Sequence, residues 1–140
     1  ALNERLLMTL CYAIFDLKAR TLFYSIAGHP FPYHYSTKEK TLKELELSAY
    51  PLGVTAKASY KVKHVRYAPG DVFAFYSDGI IEAVNPEGEQ FGFSRFEQLV
   101  KENSSLDAES INFNITMNFR AFQKDVPQDD DVTLVIIKAK

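Results

Sequence analysis

The sequence predicts an α+β fold of mainly antiparallel strands that carries its helices late. Three observations predict it. Short apolar runs joined by turn residues fill the first half, helical spacing takes over after Phe93, and a last apolar run covers residues 132–137. The chain has 140 residues, of which 46% are apolar and 24% charged. That length and composition fit one soluble domain, residues 1–140, with a core of its own.

Taken in order, residues 10–15 (Leu-Cys-Tyr-Ala-Ile-Phe) and residues 22–27 read as two strands. The polar link Asp16-Leu17-Lys18-Ala19-Arg20 makes them a hairpin. Gly28-His29-Pro30-Phe31-Pro32 then breaks the pattern, because prolines cannot continue a central strand. Phe31, Tyr33 and Tyr35 read as packing of an edge hairpin. Residues 38–46 are charged and read as an exposed connection, and Pro51-Leu52-Gly53 marks a turn. The chain is extended again over residues 59–67. Ala68-Pro69-Gly70-Asp71 places Pro second and Gly third, as a type II turn requires. Residues 72–76 are nearly all apolar and predict a strand buried on both faces, ending in Ser77-Asp78-Gly79. Phe93, Phe96 and Val100 fall at helical spacing, with Ser94 and Glu97 as a capping box. A second helix is predicted over residues 108–122, with Asp107 as N-cap and Ile111, Ile115, Phe119 and Phe122 facing the core. Phe113 and Met117 lie off that stripe and mark a partner-facing surface.

Composition excludes several classes. Lys and Arg number 16 against 18 Asp and Glu, without the basic stripe that nucleic acid demands. No apolar run approaches the roughly 20 residues that span a bilayer. One cysteine, Cys11, allows no intrachain disulfide; the reading is a buried strand residue in a reducing, cytoplasmic compartment. A cysteine-phosphatase loop would need Arg at position 17, which is Leu17. No glycine is followed by Lys as a phosphate loop requires, and neither HExxH nor GxSxG occurs.

The remaining chemistry is acidic. Asp78 ends a buried strand and precedes Gly79, whose bare backbone leaves an approach open. Asp129, Asp130 and Asp131 precede another strand. If those strands are neighbours, the carboxylates converge. Unpaired carboxylates repel, and a hard divalent cation such as Mg²⁺ or Mn²⁺ would relieve this. The plain alternative is a turn residue and a solvated loop.

The segments Ala27-Gly28-His29-Pro30, Pro51-Leu52-Gly53, Pro69-Gly70-Asp71, Tyr76-Ser77-Asp78-Gly79-Ile80, Glu82-Ala83, Phe91-Gly92 and Asp130-Asp131-Val132-Thr133-Leu134 stand in a telling order. Together they resemble the C-terminal part of the SpoIIE/RsbU-type serine phosphatases, a branch of the metal-dependent PPM (protein phosphatase 2C-like) superfamily. The resemblance implies an α-β-β-α sandwich with a two-metal centre of Mn²⁺ or Mg²⁺. Water activated there attacks phosphoserine or phosphothreonine without a phosphoenzyme. By the same resemblance Asp78 and Asp130 are metal ligands, Gly79 keeps the approach open, and Asp131 and His29 stand behind the ligands. Asp129 is loop. Glu82 reads as a surface or capping residue.

The implied substrate is a phosphorylated anti-anti-sigma (STAS-type) protein in a partner-switching pathway. An upstream sensor or receiver domain is expected, and a homodimer is compatible with the sequence. The family's upstream metal-binding aspartates are absent here. The chain also opens at Ala1, and residues 2–6 read as the end of a helix begun earlier. An N-terminally truncated domain with little activity of its own is therefore expected. Two rivals stand beside this reading: a degenerate phosphatase-like module that binds a signalling partner, and an acidic-loop domain in which Asp78 and Asp130 are unrelated.

Overall fold

The computed structural model describes residues 6–140, so the helix end expected over residues 2–6 lies, but for Leu6, outside the described residues. The chain forms two compact units. The first runs up to Phe31 and adds Leu45–Tyr67; the second is Pro32–Glu44 with Ala68–Lys140.

In the first unit, β1 (Leu10–Asp16), β2 (Thr21–Ala27) and β5 (Lys63–Arg66) form an antiparallel sheet in the order β1-β2-β5. The predicted hairpin is present, with Leu10 opposite Ala27 and Asp16 opposite Thr21. Its turn is fixed by the Ala19 N–H, which donates to the Asp16 carboxylate at 2.8 Å. β2 buries Leu22, Tyr24 and Ile26 on one face. β1, by contrast, keeps Leu10, Tyr12 and Ile14 exposed on its other side, as period-2 alternation dictates. Cys11 is only partly buried, which corrects the expectation of a core thiol. Burial still pushes its pKa up to about 11, so it is an unreactive thiol. Only Lys63–Arg66 of the extended 59–67 stretch pairs as strand.

In the second unit the sheet runs β4-β3-β6-β7, antiparallel throughout: β3 (Tyr33–Ser36), β4 (Thr41–Glu44), β6 (Val72–Tyr76) and β7 (Leu134–Lys138). Three expectations are corrected. Residues 41–44 are a strand rather than a plain connection, because Lys40 takes a positive φ of 54° and turns the chain back on β3. β3 is an interior strand, so Tyr33 is fully buried rather than packed at an edge. β7 begins two residues later than the apolar run, since Val132 and Thr133 serve the loop described below.

The Ala68–Asp71 turn forms as expected, with Gly70 at φ 88° and the Asp71 N–H donating to the Ala68 carbonyl at 3.1 Å. The Asp71 carboxylate then turns inward, 2% exposed, and accepts from four groups. These are the Thr37 N–H (2.9 Å) and hydroxyl (3.0 Å), the Ala68 N–H (3.0 Å) and the His34 ring (2.9 Å). His34 in turn stacks flat on Phe73 at 4.5 Å, its partner across the β3–β6 ladder.

Three helices follow: α1 (Asp78–Glu82), α2 (Gly92–Asn103) and α3 (Ala108–Gln123). The α3 cap is as read, with the Asp107 carboxylate accepting from the Ser110 N–H at 2.8 Å and so satisfying one of the helix's free N-terminal donors. The capping box of α2 is not. That helix starts at Gly92, placing Ser94 inside its first turn, and the Glu97 carboxylate instead accepts from the buried Tyr33 hydroxyl at 2.9 Å. Phe96, Val100, Ile111, Ile115 and Phe119 pack with Tyr33, Val72, Ala74 and Tyr76 into the core of this unit. No helix among the described residues is long and apolar enough to cross a membrane.

Candidate metal centre

The site sits where β6 and β7 finish pairing. Their ladder runs from Val72 opposite Lys138 to Tyr76 opposite Leu134, which makes the two strands neighbours as the acidic reading required. Ser77 extends the pairing by one step through its backbone and side chain. Its N–H donates to the Thr133 carbonyl at 3.0 Å, and its hydroxyl accepts from the Thr133 N–H at 2.9 Å and donates to the Asp131 carbonyl at 3.0 Å. A small hydroxyl residue is therefore needed just before Asp78. Ser77 is thus a working residue of this corner, and its place in Ser77-Asp78-Gly79 is the sequence signal for it.

Asp78 opens α1 with an exposed side chain. Gly79 is buried behind it, with no room for a side chain: a Cβ there would run into the Asp131 carbonyl oxygen and lie 3.4 Å from that of Asp130. The start of α1 and the Asp130–Asp131 backbone are thus in direct contact. Asp130 folds its carboxylate back to accept the Asp131 N–H at 2.8 Å, and its carbonyl accepts from the Gln128 amide at 2.7 Å. Asp129, Asp130 and Asp131 are all exposed. Gly79→Ala is expected to lower stability by about 1–3 kcal/mol, because the atoms in the way are backbone. In an unobstructed helix the same change stabilises by up to about 1 kcal/mol. The sign of the change in thermal unfolding decides; a more stable variant would show that the close approach is not tight.

Of the other residues singled out, His29 belongs to the first unit, where its Nδ1 lies 3.0 Å from the Pro30 carbonyl. Glu82 is exposed at the last residue of α1. Among the described residues no three His, Cys, Asp or Glu side chains gather into a metal-sized cluster. The donors at this corner are hard carboxylate oxygens beside a bare glycine. They fit a hard divalent cation as part of its ligand set, not as all of it.

Solved structures of similar shape place this fold among PP2C-type phosphatase domains. The SiaA PP2C domain of Pseudomonas aeruginosa matches with a TM-score of 0.83 at 21% identity, covering 94% of this chain and 52% of that one. The phosphatase domain of the cell-fate determinant SpoIIE from Bacillus subtilis, in its Mn-presoaked form, matches at 0.71 and 17% identity over 94% and 56%. The family model described as Stage II sporulation protein E (SpoIIE) matches residues 1–140, and the chain belongs to that family. Phosphoserine phosphatase RsbU of Bacillus subtilis (strain 168) is 27% identical over 138 residues, 99% of this chain and 41% of that protein. The chain therefore spans less than half the length of that relative.

Proposed function

We propose that this chain supplies part of the catalytic centre of a metal-dependent phosphatase that hydrolyses phosphoserine or phosphothreonine on a signalling protein of the anti-anti-sigma (STAS) type. The observation that carries the reading is the Ser77–Asp131–Thr133 clamp, which holds the Asp78 and Asp130 segments against each other within a chain of the SpoIIE family. Asp78 and Asp130 would hold Mn²⁺ or Mg²⁺, Gly79 lets the Asp130–Asp131 backbone close against the start of α1 rather than leaving an open approach, and Asp131 stands behind the ligands. When bound, such cations lower the pKa of water and neutralise charge on phosphoryl oxygens. The chain's own contribution is to fix two anionic ligands on a strand end and an adjoining loop, tied by three hydrogen bonds through Ser77. Two carboxylates make a weak site, so further ligands complete it and this stretch alone turns over little substrate. A cytoplasmic setting with an upstream sensor or receiver domain accompanies this reading.

The test compares phosphate release from an aryl phosphate, with Mn²⁺ and with chelator, by this chain and by one extended upstream with its natural sequence. Activity of the extended chain alone, lost with chelator and with Asp130→Asn, is the expected result. An extended chain that binds Mn²⁺ yet never releases phosphate would favour the partner-binding module instead.

A further inference from the structure

Two carboxylates from separate elements of the second unit meet over a pair of buried tyrosines. Tyr33 and Glu44 are direct partners in the β3–β4 ladder and so share a face, the one on which Tyr33 joins the core. The Tyr33 hydroxyl lies 3.1 Å from Oε1 of Glu44 and 2.9 Å from Oε1 of Glu97 on α2. A phenol has one proton to give, so it answers one carboxylate and turns its lone pairs toward the other. The Lys101 ammonium stands 3.9 Å from the second oxygen of Glu97, and Glu44 has no ion-pair partner among the described residues. Tyr76 adds an independent observation. It stacks on Tyr33 with ring centroids 5.7 Å apart and is 2% exposed, yet its hydroxyl has no hydrogen-bond partner. An unanswered hydroxyl in the interior is costly. Burial raises its pKa, the Tyr33 hydroxyl lowers it, and the charges of Glu44 and Glu97 raise it again, so the group stands among those three.

We infer that Glu44, Glu97 and the hydroxyls of Tyr33 and Tyr76 form a second cation site, for a hard divalent ion of the calcium type, sharing no ligand with the Asp78–Asp130 corner. All four donors are oxygens, which selects hard cations. They come from β4, α2, β3 and β6 and make an irregular set of two carboxylates and two phenols. Calcium accepts mixed, irregular shells and fills the rest with water, whereas Mg²⁺ demands a near-ideal octahedron. Its double charge answers both carboxylates at once, and each phenol oxygen keeps a lone pair for it. Glu44 is exposed, which gives the ion its way in. With two charged ligands the site is weak, binding in the range of about 10⁻⁴–10⁻³ M. An ion held there ties the last residue of the edge strand β4 to the middle of α2. The inference is independent of the phosphatase reading.

Thermal unfolding against Ca²⁺ concentration, in a chain carrying Asp78→Asn and Asp130→Asn, tests it with the other carboxylate pair removed. The unfolding temperature should rise by about 4 °C at about 10 mM Ca²⁺ for a dissociation constant of about 1 mM. In that background Glu44→Gln and Glu97→Gln should each remove most of the rise, while Glu109→Gln, at an exposed acid of α3, should keep it. Glu44→Gln should also leave the calcium-free chain no less stable, since it relieves like charges. Tyr76→Phe should weaken the apparent affinity about threefold. The chain has no tryptophan, so Tb³⁺ in place of Ca²⁺ gives a second readout, luminescence excited through the two tyrosines, which Glu44→Gln should extinguish. No rise with Ca²⁺, or an equal rise in Glu44→Gln, would overturn the proposal. So would Tyr76→Phe matching its background, which would put water rather than a cation against that hydroxyl. A response to Mg²⁺ equal to that to Ca²⁺ would overturn the calcium assignment.

Discussion

Asp78→Asn is expected to abolish most of the stabilisation that Mn²⁺ confers on the chain while leaving the metal-free fold as stable as before, or slightly more so. Asparagine keeps the shape of the side chain at the start of α1 but removes the charge a hard cation needs. The native Asp78 is exposed and forms no side-chain hydrogen bond among the described residues, so little packing is lost. Removing one of several neighbouring negative charges also relieves repulsion with the Asp129–Asp131 run. A bound ligand raises the unfolding free energy by RT ln(1 + [L]/Kd), so thermal shift against Mn²⁺ concentration reads the site without any assay of turnover. Asp130→Asn should act in the same direction. If both variants respond to Mn²⁺ as the wild type does, the two aspartates do not share a metal, and the acidic-loop alternative is correct.

The largest loss of stability is expected from Asp71→Ala. The substitution strands four donors that now converge on one carboxylate, the Thr37 N–H and hydroxyl, the Ala68 N–H and the His34 ring, in a place almost closed to water. Breaking a buried pair by deleting one partner costs about 3–5 kcal/mol, a large share of the 5–15 kcal/mol typical of a domain. Urea unfolding measures it, and a change below about 1 kcal/mol would show the cluster to be dispensable. The pH dependence has a definite sign. Burial alone raises the Asp71 pKa, but the bonds from Ala68, Thr37 and His34 outweigh it and hold the carboxyl below the ordinary aspartate value. The stability it contributes is thus fully present above the unfolded-state pKa, near 3.9, and is lost as pH falls through the folded-state value. The gap between wild type and Asp71→Ala should accordingly narrow below about pH 4.

Much of this is legible in the sequence because it is local. The β1–β2 hairpin follows from two apolar runs and a polar link, the 68–71 turn from Pro-Gly order, and α3 from its stripe and its Asp107 cap. The misreadings share another cause. Residues 41–44 carry too few apolar side chains to announce a strand; they pair because Tyr33–Ser36 offers them a ladder. Tyr33 reads as an edge residue since nothing local says that β6 lies on its other side. Glu97 reads as part of its own helix's cap, yet its partner is 64 residues away. At the candidate site, Asp78 and Asp130 stand out as charges beside apolar runs, but their backbone contact depends on the β6–β7 register. The clamp by Ser77 and the fourfold acceptance by Asp71 are products of tertiary contact.

The Ser77 clamp also has a bearing on the order in which the molecule assembles. Its two hydroxyl contacts close loops of 54 and 56 residues, with α2 and α3 wholly inside them. Helices form from near neighbours in about a microsecond, whereas a pairing across such a span must first meet the entropy of closing the loop. The aspartates at positions 78 and 130 are then among the last groups to meet and among the first to separate when β7 frays. Metal affinity becomes a gauge of whether the final strand is docked. Amide exchange at Thr133 should slow on adding Mn²⁺ while that in the middle of α3 stays unchanged, and equal slowing at both would mean that strand and helix open together.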